Sequence, residues 1–510
     1  MPPARPQPQT SSYWIDSAPL PPFPKVERDG RFDAIVVGAG ITGLTAAYLL
    51  ARAGRSVAVL ERGTAARIDT GHTSAHLTMA TDTRLTELVD RFGRDHAQAA
   101  WDAGLAAIAR IESIVGDEEI DCAFEWVDGY LHAPAGEGRD QAAESFRQEA
   151  ALAADLGFDA AFVEDVPFAG GTGIRFENQA RFHPRRYLAG VARAITDRGG
   201  QIFERSEASE FCAEPLSVTV KRHTLRCDEL IMATHNPLVG VSSLAGATVF
   251  QTKLALYTSY VVAGRVAQGT VPDGLYWDTA DPYHYLRIEP RSGHDVVIFG
   301  GEDHKTGQVE DTAACYEALE RTLRMLVPAV EITHRWSGQV IETPDGLPYI
   351  GAMADHQYAA TGFAGNGMTF GTLGAMMTTD AILGIRNPWA DLFEPGRAAV
   401  RRGLWEYLKE NVDYPYYMIR DRFAGADGRS LRSVKRGEGK IIERKDGKVA
   451  AYRDGSGKTV VRSAICTHMG CVVGWNGAER TWDCPCHGSR FRPDGSVISG
   501  PAEAPLAEVE

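Results

Sequence analysis

Three rhythms of apolar and polar residues divide the 510-residue chain. Near the N-terminus an unbroken apolar run, Ala34 to Val37, gives way to a helical repeat in which Ile41, Leu44, Tyr48 and Leu49 recur on one face. This predicts a buried strand at 34–37, a helix from Ile41 to Ala53 stopped by Gly54, and a second strand, "SVAVLE", ending in Glu61. In the middle of the chain "YHYLRIEP" alternates, so Tyr283, Tyr285 and Arg287 share one face of a strand. From Lys440 onward, short apolar runs are separated by DG and GSG turns, the pattern of β-hairpins. The first thirty residues follow none of these rhythms, and their prolines predict an extended arm.

Length and ordinary globular composition imply two or three domains. A formal net charge of −14 argues against nucleic acid as a partner, because binding phosphates rests on clustered Lys and Arg. The opening lacks a basic region followed by an apolar core, so it does not read as a secretory signal, and a cytoplasmic location is expected. The longest apolar run, Ala34 to Ala51, is broken by glycines, which argues against a membrane span. Of eight cysteines, Cys122, Cys212, Cys227 and Cys315 are scattered and are expected to be small buried hydrophobes. The other four are clustered in the last fifty residues.

The first rhythm carries candidate chemistry. Gly38, Gly40 and Gly43 stand in GxGxxG spacing between strand and helix. Gly38 permits the tight turn, Gly40 lets backbone approach a pyrophosphate, and Gly43 lets helix and strand pack closely. The helix start at Ile41 and Thr42 offers unpaired N–H groups to phosphate, while Glu61, followed by Arg62, can accept from ribose hydroxyls. A dinucleotide is expected; the motif alone does not separate NAD from FAD.

Five later segments do separate them: "TGHTSAHLT" (70–78), "RFHPRRYLAGVARAITDRGGQIFE" (181–204), "CDELIMATHNP" (227–237), "ETPDGLPYIG" (342–351) and "YAATGFAGNGMTFGTLGAMMTTDAI" (358–382). Their order resembles that of the FAD-dependent D-amino acid oxidase family, over residues 30 to 385. The resemblance implies that the backbone of Thr73, Ser74, Ala75 and His76 lies near the flavin ring. It places Ala208 at the adenine and Ala233 and Thr234 at the end of a strand beside the adenosine. Gly362 and a helix N-terminus at Gly365, Asn366, Gly367, Met368 and Thr369 would meet the pyrimidine edge. There the helix would stabilise the negative charge of the reduced ring. His72 and His76 raise a covalent flavin link, but the linked residue of related demethylating enzymes aligns nearer Ala75. With one GxGxxG, electrons are expected to come from a substrate.

The clustered cysteines carry the second candidate chemistry. Cys466, His468, Cys484 and His487 form CxHx15CxxH. Two loops, each offering one thiolate and one imidazole, suit a two-iron cluster with both cysteines on one iron and both histidines on the other. Neutral imidazoles would bring its potential into a range of about −150 to +300 mV. Tetrahedral zinc is the alternative for such a donor set, although its usual spacing pairs Cys with Cys and His with His. "CTHMGC" and "CPCHGS" resemble the Rieske family closely, over Ser433 to Glu510. In the Rieske proteins of cytochrome bc complexes the cysteines matching Cys471 and Cys486 form a disulfide, so the same pairing is expected here. Ser489 matches a donor to a cluster sulfide, and Phe491 stands where many high-potential relatives have Tyr.

The expected architecture is an α/β Rossmann-type FAD-binding domain with an antiparallel-sheet substrate domain, plus a small all-β Rieske domain. Its parts are an arm (1–30), a flavoprotein (31–385), a basic helical connector (386–432) and the Rieske domain (433–510). Within the flavoprotein, FAD binding falls to 31–80, 180–240 and 335–385, and the substrate domain is mainly 81–179 and 241–334. From Arg397 to Lys448, 14 Lys or Arg against 8 Asp or Glu give +6 and leave about −20 on the rest, so the connector either docks on the flavin body or is a solvated basic helix.

The whole resembles bacterial Rieske-containing FAD-dependent oxidoreductases. That implies a dehydrogenase taking hydride from the carbon beside the nitrogen of an amine or amino acid and passing single electrons to a quinone, ferredoxin or cytochrome. The alternative is an electron-transfer module, reduced by a partner and serving an oxygenase or quinone. On the substrate side, Arg287 can pair with a carboxylate or form a salt bridge. Tyr260 and Tyr276 form an aromatic wall or pack in the core, and Tyr285 is expected on the substrate side with Arg287. His304 and Lys305 act near the flavin or belong to a turn.

Overall fold

The computed structural model describes residues 8–134, 139–236, 253–397, 417, 420, 425–444 and 447–509. Most of the predicted basic connector lies outside the described residues.

The strand Gly30–Val37 runs parallel to Val57–Leu60 on one side and His223–Met232 on the other. Gln201–Phe203 and Gln357–Thr361 extend this parallel sheet outward. Val57–Leu60 is buried throughout, as a strand covered on both faces requires. The helix Ile41–Arg52 starts directly behind the glycine turn and ends at Gly54, whose φ of +80° turns the chain out of the helix.

A second, mostly antiparallel sheet runs in the order Glu331–Glu342, Ala255–Val266, His294–Lys305, Tyr285–Arg291, Leu275–Asp278, Glu125–His132, Gly173–Arg181 and His76–Leu77. Its last strand ties the 70–76 segment to the sheet through pairing with Arg181 and Ala180. The C-terminal region forms the expected hairpins: Gly439–Arg444, Gly447–Arg453 and Thr459–Ser463 make one small sheet. Gly474–Asn476, Thr481–Asp483, Arg490–Phe491 and Val497–Ser499 make another.

Two expectations change. The N-terminal arm is not simply extended: Tyr13–Ser17 is a helix, capped by Ser12, whose side chain accepts from the N–H of Ile15. It buries Trp14 completely, and the burial of an indole outweighs the proline-rich flanks in setting its course. Cys212 is exposed on the short strand Glu210–Ala213, whereas Cys122, Cys227 and Cys315 are buried. Among the described residues, no helix is long and apolar enough to cross a membrane.

Candidate active site and cluster site

A cavity of about 840 Å³ begins at the glycine turn, passes the 70–76 segment and ends among Tyr283, Tyr285 and Trp277. Gly38, Gly40, Ile41, Thr42, Glu61, Arg62, Ala208, Ala233 and Thr234 line one end of it. Two glycines are required by space. A Cβ on Gly43 would lie 1.9 Å from the carbonyl oxygen of Gly38, and one on Gly38, at φ +106°, would lie 2.4 Å from that of Ala233. Gly43 itself is therefore not on the cavity wall; it lets the helix close on the turn. The Glu61 carboxylate accepts from the N–H groups of Ala39 (3.1 Å) and Gly63 (2.7 Å), so it shapes the turn as well as facing the cavity. Burial raises its pKa against those two bonds.

Three buried side chains hold the carbonyls of the 70–76 segment. Trp336 Nε1 donates to His72 O (2.9 Å), Trp14 Nε1 to Thr73 O (2.7 Å) and Arg287 Nη1 to Ala75 O (2.6 Å). Thr73, Ser74 and His76 line the cavity, while Ala75, at φ +60°, is buried behind them. Burial and the neighbouring Arg287 charge push His76 down to about 3, so its ring is neutral.

The cluster loops are built alike. In each, the N–H of a left-handed glycine returns to the carbonyl of the first cysteine: Gly470 to Cys466 (3.1 Å) and Gly488 to Cys484 (3.0 Å). Each of these cysteines donates its own N–H five residues on, Cys466 to Cys471 O and Cys484 to Ser489 O, both at 2.8 Å. The repeated geometry explains glycine at the fifth position of both "CTHMGC" and "CPCHGS". The rings of His468 and His487 lie 4.9 Å apart at 86°. A hydrogen bond to Cys484 is the largest influence drawing the Cys466 thiol down to about 7, so the two thiols meet. Burial takes both imidazoles to about 4, the neutral form that binds metal. Cys471 and Cys486 form a disulfide, and their sulfurs lie within 4.8 Å of that of Cys484.

Residues 33–381 match the family described as FAD dependent oxidoreductase (DAO), and residues 429–510 match the Rieske [2Fe-2S] domain. The chain belongs to the DAO family of FAD-dependent oxidoreductases. It carries a Rieske domain at its C-terminal end. It is 32% identical to YhfW of Bacillus subtilis (strain 168), described as a Rieske 2Fe-2S iron-sulfur protein, over 99% of this chain and 98% of that one. Across 15% of the chain it is 47% identical to the cytochrome b6-f complex iron-sulfur subunit of Chlorobaculum tepidum, covering 41% of that protein. Glycine oxidase from Geobacillus kaustophilus shares the fold of the flavoprotein part, with a TM-score of 0.60 at 17% identity over 72% of this chain and 99% of that one.

The cofactors of this FAD-dependent oxidoreductase are FAD and a Rieske-type 2Fe-2S cluster, and the residues present fit both. The cavity is long enough to take a dinucleotide from the glycine turn to the sheet, and its turn has no room for a Cβ at Gly38. Two thiols in contact and two half-buried imidazoles at right angles give the donor set of a mixed-ligand cluster. Gly365, Asn366, Gly367 and Met368 line the cavity at the start of the helix Gly367–Ile382. Gly362 and Thr369 do not line it. Gly362, at φ +76°, turns the chain beside Thr343, and Thr369 faces the buried interior.

Three substrate-side expectations are corrected by packing. Arg287 shares the strand face of Tyr285, but its guanidinium lies under the 70–76 segment, pairs with the fully buried Glu289 at 2.6 Å and rests over Trp14. Its charge is already matched, so it is a brace and not a carboxylate receptor. Tyr260 is fully buried between His304, stacked at 5.4 Å, and Tyr316. Neither Tyr260 nor His304 reaches the cavity wall, and Tyr276 packs in the core against Tyr130 at 5.2 Å.

The cavity wall at its sheet end instead contains Tyr283, Tyr285, Ser259 and Asp82. Tyr285 and Ser259 share a hydroxyl hydrogen bond of 2.8 Å, and Asp82 accepts from the N–H of Gly365 at 2.6 Å. Asp82 is open to the cavity, but the protein around it strips much of its water and raises it above the usual carboxylate range. Asp303, on the adjoining strand, is pushed up to about 7 by the same loss of water. Ser259, Asp82 and Trp14 were missed because each sits in a stretch with no motif; the apolar "YW" within the polar arm was the one available signal.

The Rieske domain closes on this site. Its segment Ile498 to Pro505 lines the FAD cavity, and Arg62 donates to the carbonyl of Ile498. Glu479 accepts from Tyr316 (2.7 Å) and Ser337 on the flavoprotein and from Arg490 (2.6 Å) on its own domain. Gln308 Nε2 donates to Pro485 O (3.1 Å) and Thr312 Oγ1 to Asn476 Oδ1 (2.8 Å). A Cβ on Gly307 would fall 2.8 Å from the carbonyl carbon of Cys484, so the second cluster loop lies directly on the flavoprotein.

Proposed function

We propose that this protein dehydrogenates the carbon–nitrogen bond of an amine or amino acid and sends the electrons, one at a time, through its Rieske cluster to an external quinone, ferredoxin or cytochrome. The observation that carries this reading is the seating of the loop Cys484 to Ser489 on the wall of the FAD cavity. FAD supplies a two-electron acceptor and the cluster a one-electron carrier. Cys466 and Cys484 would hold one iron and His468 and His487 the other.

The chain's own residues bind, orient and exclude water. The turn Gly38 to Gly43 receives the pyrophosphate at the N-terminus of the helix Ile41–Arg52. The helix start at Gly367 favours negative charge at its end of the cavity. Tyr283, Tyr285 and Ser259 offer hydroxyls to orient the amine, and the carboxyl of Asp82 faces the same space. The proton of a substrate ammonium must leave before hydride can be removed from the adjacent carbon. Asp303 does not line the cavity; its carboxyl, raised to about 7, lies beside Ser259, which does, and is suited to take a proton through that hydroxyl near neutrality.

Anaerobic mixing of the holoenzyme with a panel of amines and amino acids tests this. The expected result is bleaching of the flavin followed by appearance of the reduced-cluster signal. Failure of every substrate to bleach a flavin that a reduced protein partner does bleach would replace the dehydrogenase with an electron-transfer module.

A further inference from the structure

The strand Glu331–Glu342 separates the flavin segment from the cluster domain, and its two faces have different work. On one face, Trp336 donates to His72 O, and a Cβ on Gly338 would stand 3.0 Å from the same oxygen. On the other face, reached by the period-two alternation of a strand, Ser337 donates to Glu479 and Gln339 meets the second cluster loop. Gln339 is buried and still borders the FAD cavity, beside Gly338 and Val340.

Its amide is fully used. Nε2 donates to Gly488 O at 2.8 Å and to Thr306 Oγ1 at 3.3 Å, and Oε1 accepts from Ser499 Oγ at 2.6 Å. The orientation of the amide follows from chemistry, since the Gly488 carbonyl can only accept. Thr306 is in turn fixed by Thr258 at 2.8 Å. Gly488 follows His487 directly, and its own approach is close: a Cβ there, at φ +70°, would stand 2.7 Å from Leu256 Cβ. A satisfied buried network of this kind holds one geometry, because any departure strands polar groups away from water.

We infer that Gln339 is the positioning residue for electron transfer between the two cofactors, fixing the His487–Gly488 edge of the cluster loop against the FAD cavity wall. This rests on the flavin-to-cluster transfer proposed above. It makes the second loop, Cys484 to Ser489, the side on which electrons enter the cluster. FAD would supply two electrons, and the cluster held by Cys466, Cys484, His468 and His487 would accept them one at a time, each ferric-to-ferrous reduction being reversed by the external acceptor before the next.

The test uses the full-length holoprotein and needs no substrate. The flavin is reduced anaerobically by a flash-generated deazaflavin radical, and the flavin and cluster absorbances are followed separately. Iron content, the cluster EPR spectrum and both midpoint potentials are measured alongside. Gln339→Leu is expected to slow internal transfer at least about tenfold, the scale on which small misplacements are felt in geometry-dependent steps. Its potentials and EPR spectrum should match the wild type, because Gln339 touches neither ligand nor sulfur. Gly488→Ala, whose Cβ would press on Leu256 and stand 3.2 Å from Gln339 Nε2, wedges the loop off both residues and should slow the same step. Thr312→Val removes an interdomain bond remote from the loop and should leave the rate unchanged. Wild-type rates in Gln339→Leu, or a slowing accounted for by a shifted potential, would overturn the assignment, and equal slowing in Thr312→Val would reduce Gln339 to general docking. Absence of internal transfer in the wild type would instead remove the proposed function on which the inference rests.

Discussion

The indole of Trp14 donates to the carbonyl of Thr73 at 2.7 Å, so a residue of the N-terminal arm supports the 70–76 segment of the cavity wall. Trp14 is fully buried and also lies under the Arg287 guanidinium at 5.2 Å. Trp14→Phe keeps most of the apolar burial but leaves the carbonyl without its donor, a loss of about 1–3 kcal/mol. Flavin fluorescence titration should show weaker FAD binding, together with a lower melting temperature of the flavoprotein part.

Arg287 and Glu289 are both fully buried and paired at 2.6 Å. Arg287→Met leaves the buried Glu289 carboxylate with Arg291 alone, at 3.3 Å, and should cost about 1–3 kcal/mol, read by denaturant unfolding. Arg287→Met combined with Glu289→Leu should recover much of that loss. A substrate-binding arginine would give no such rescue, so recovery of stability by the double variant separates the two roles.

Glu479 joins the domains through Tyr316, Ser337 and Arg490. Burial raises its pKa, but Arg490 and the hydrogen bonds prevail and hold it below 4.5. A depressed carboxyl contributes stability above its unfolded pKa and loses it as pH falls through the folded value. Docking should therefore loosen only below about pH 4.5, as protease sensitivity at the interface. Glu479→Gln should remove about 1.5–3 kcal/mol of interface stability at neutral pH and flatten this acid dependence.

The Cys471–Cys486 disulfide ties the two cluster loops across a sequence separation of 15. Replacing both cysteines by serine should cost the Rieske domain about 3 kcal/mol on the chain-entropy account. Iron retained after dialysis, and the melting temperature with and without a thiol reductant, check it. Reductant should affect the wild type and leave the double variant unchanged.

The GxGxxG turn and both cluster loops could be read from the sequence because their geometry is local. A turn with a glycine at positive φ closes within five residues, and glycine adopts that conformation at least cost, as at Gly38, Gly470 and Gly488. The alternation that put Tyr285 and Arg287 on one strand face was correct, yet it carried no information about what covers that face. Tyr285 meets the cavity, while two residues further along Arg287 meets Ala75, Trp14 and Glu289.

The sequence by itself determined the dinucleotide turn, the mixed cysteine and histidine donor set and the hairpins of the Rieske domain, because spacing along the chain controls which donors converge in one short loop; FAD and the disulfide were implied by family resemblance. The tertiary structure decided how the two chemistries meet. Gln339 and Gly488 lie 149 residues apart, and no local pattern encodes their contact; it exists because one strand presents alternate residues to opposite sides. The same holds for Trp14, whose place beside Thr73 is set by burial of an indole and not by any periodicity of the arm.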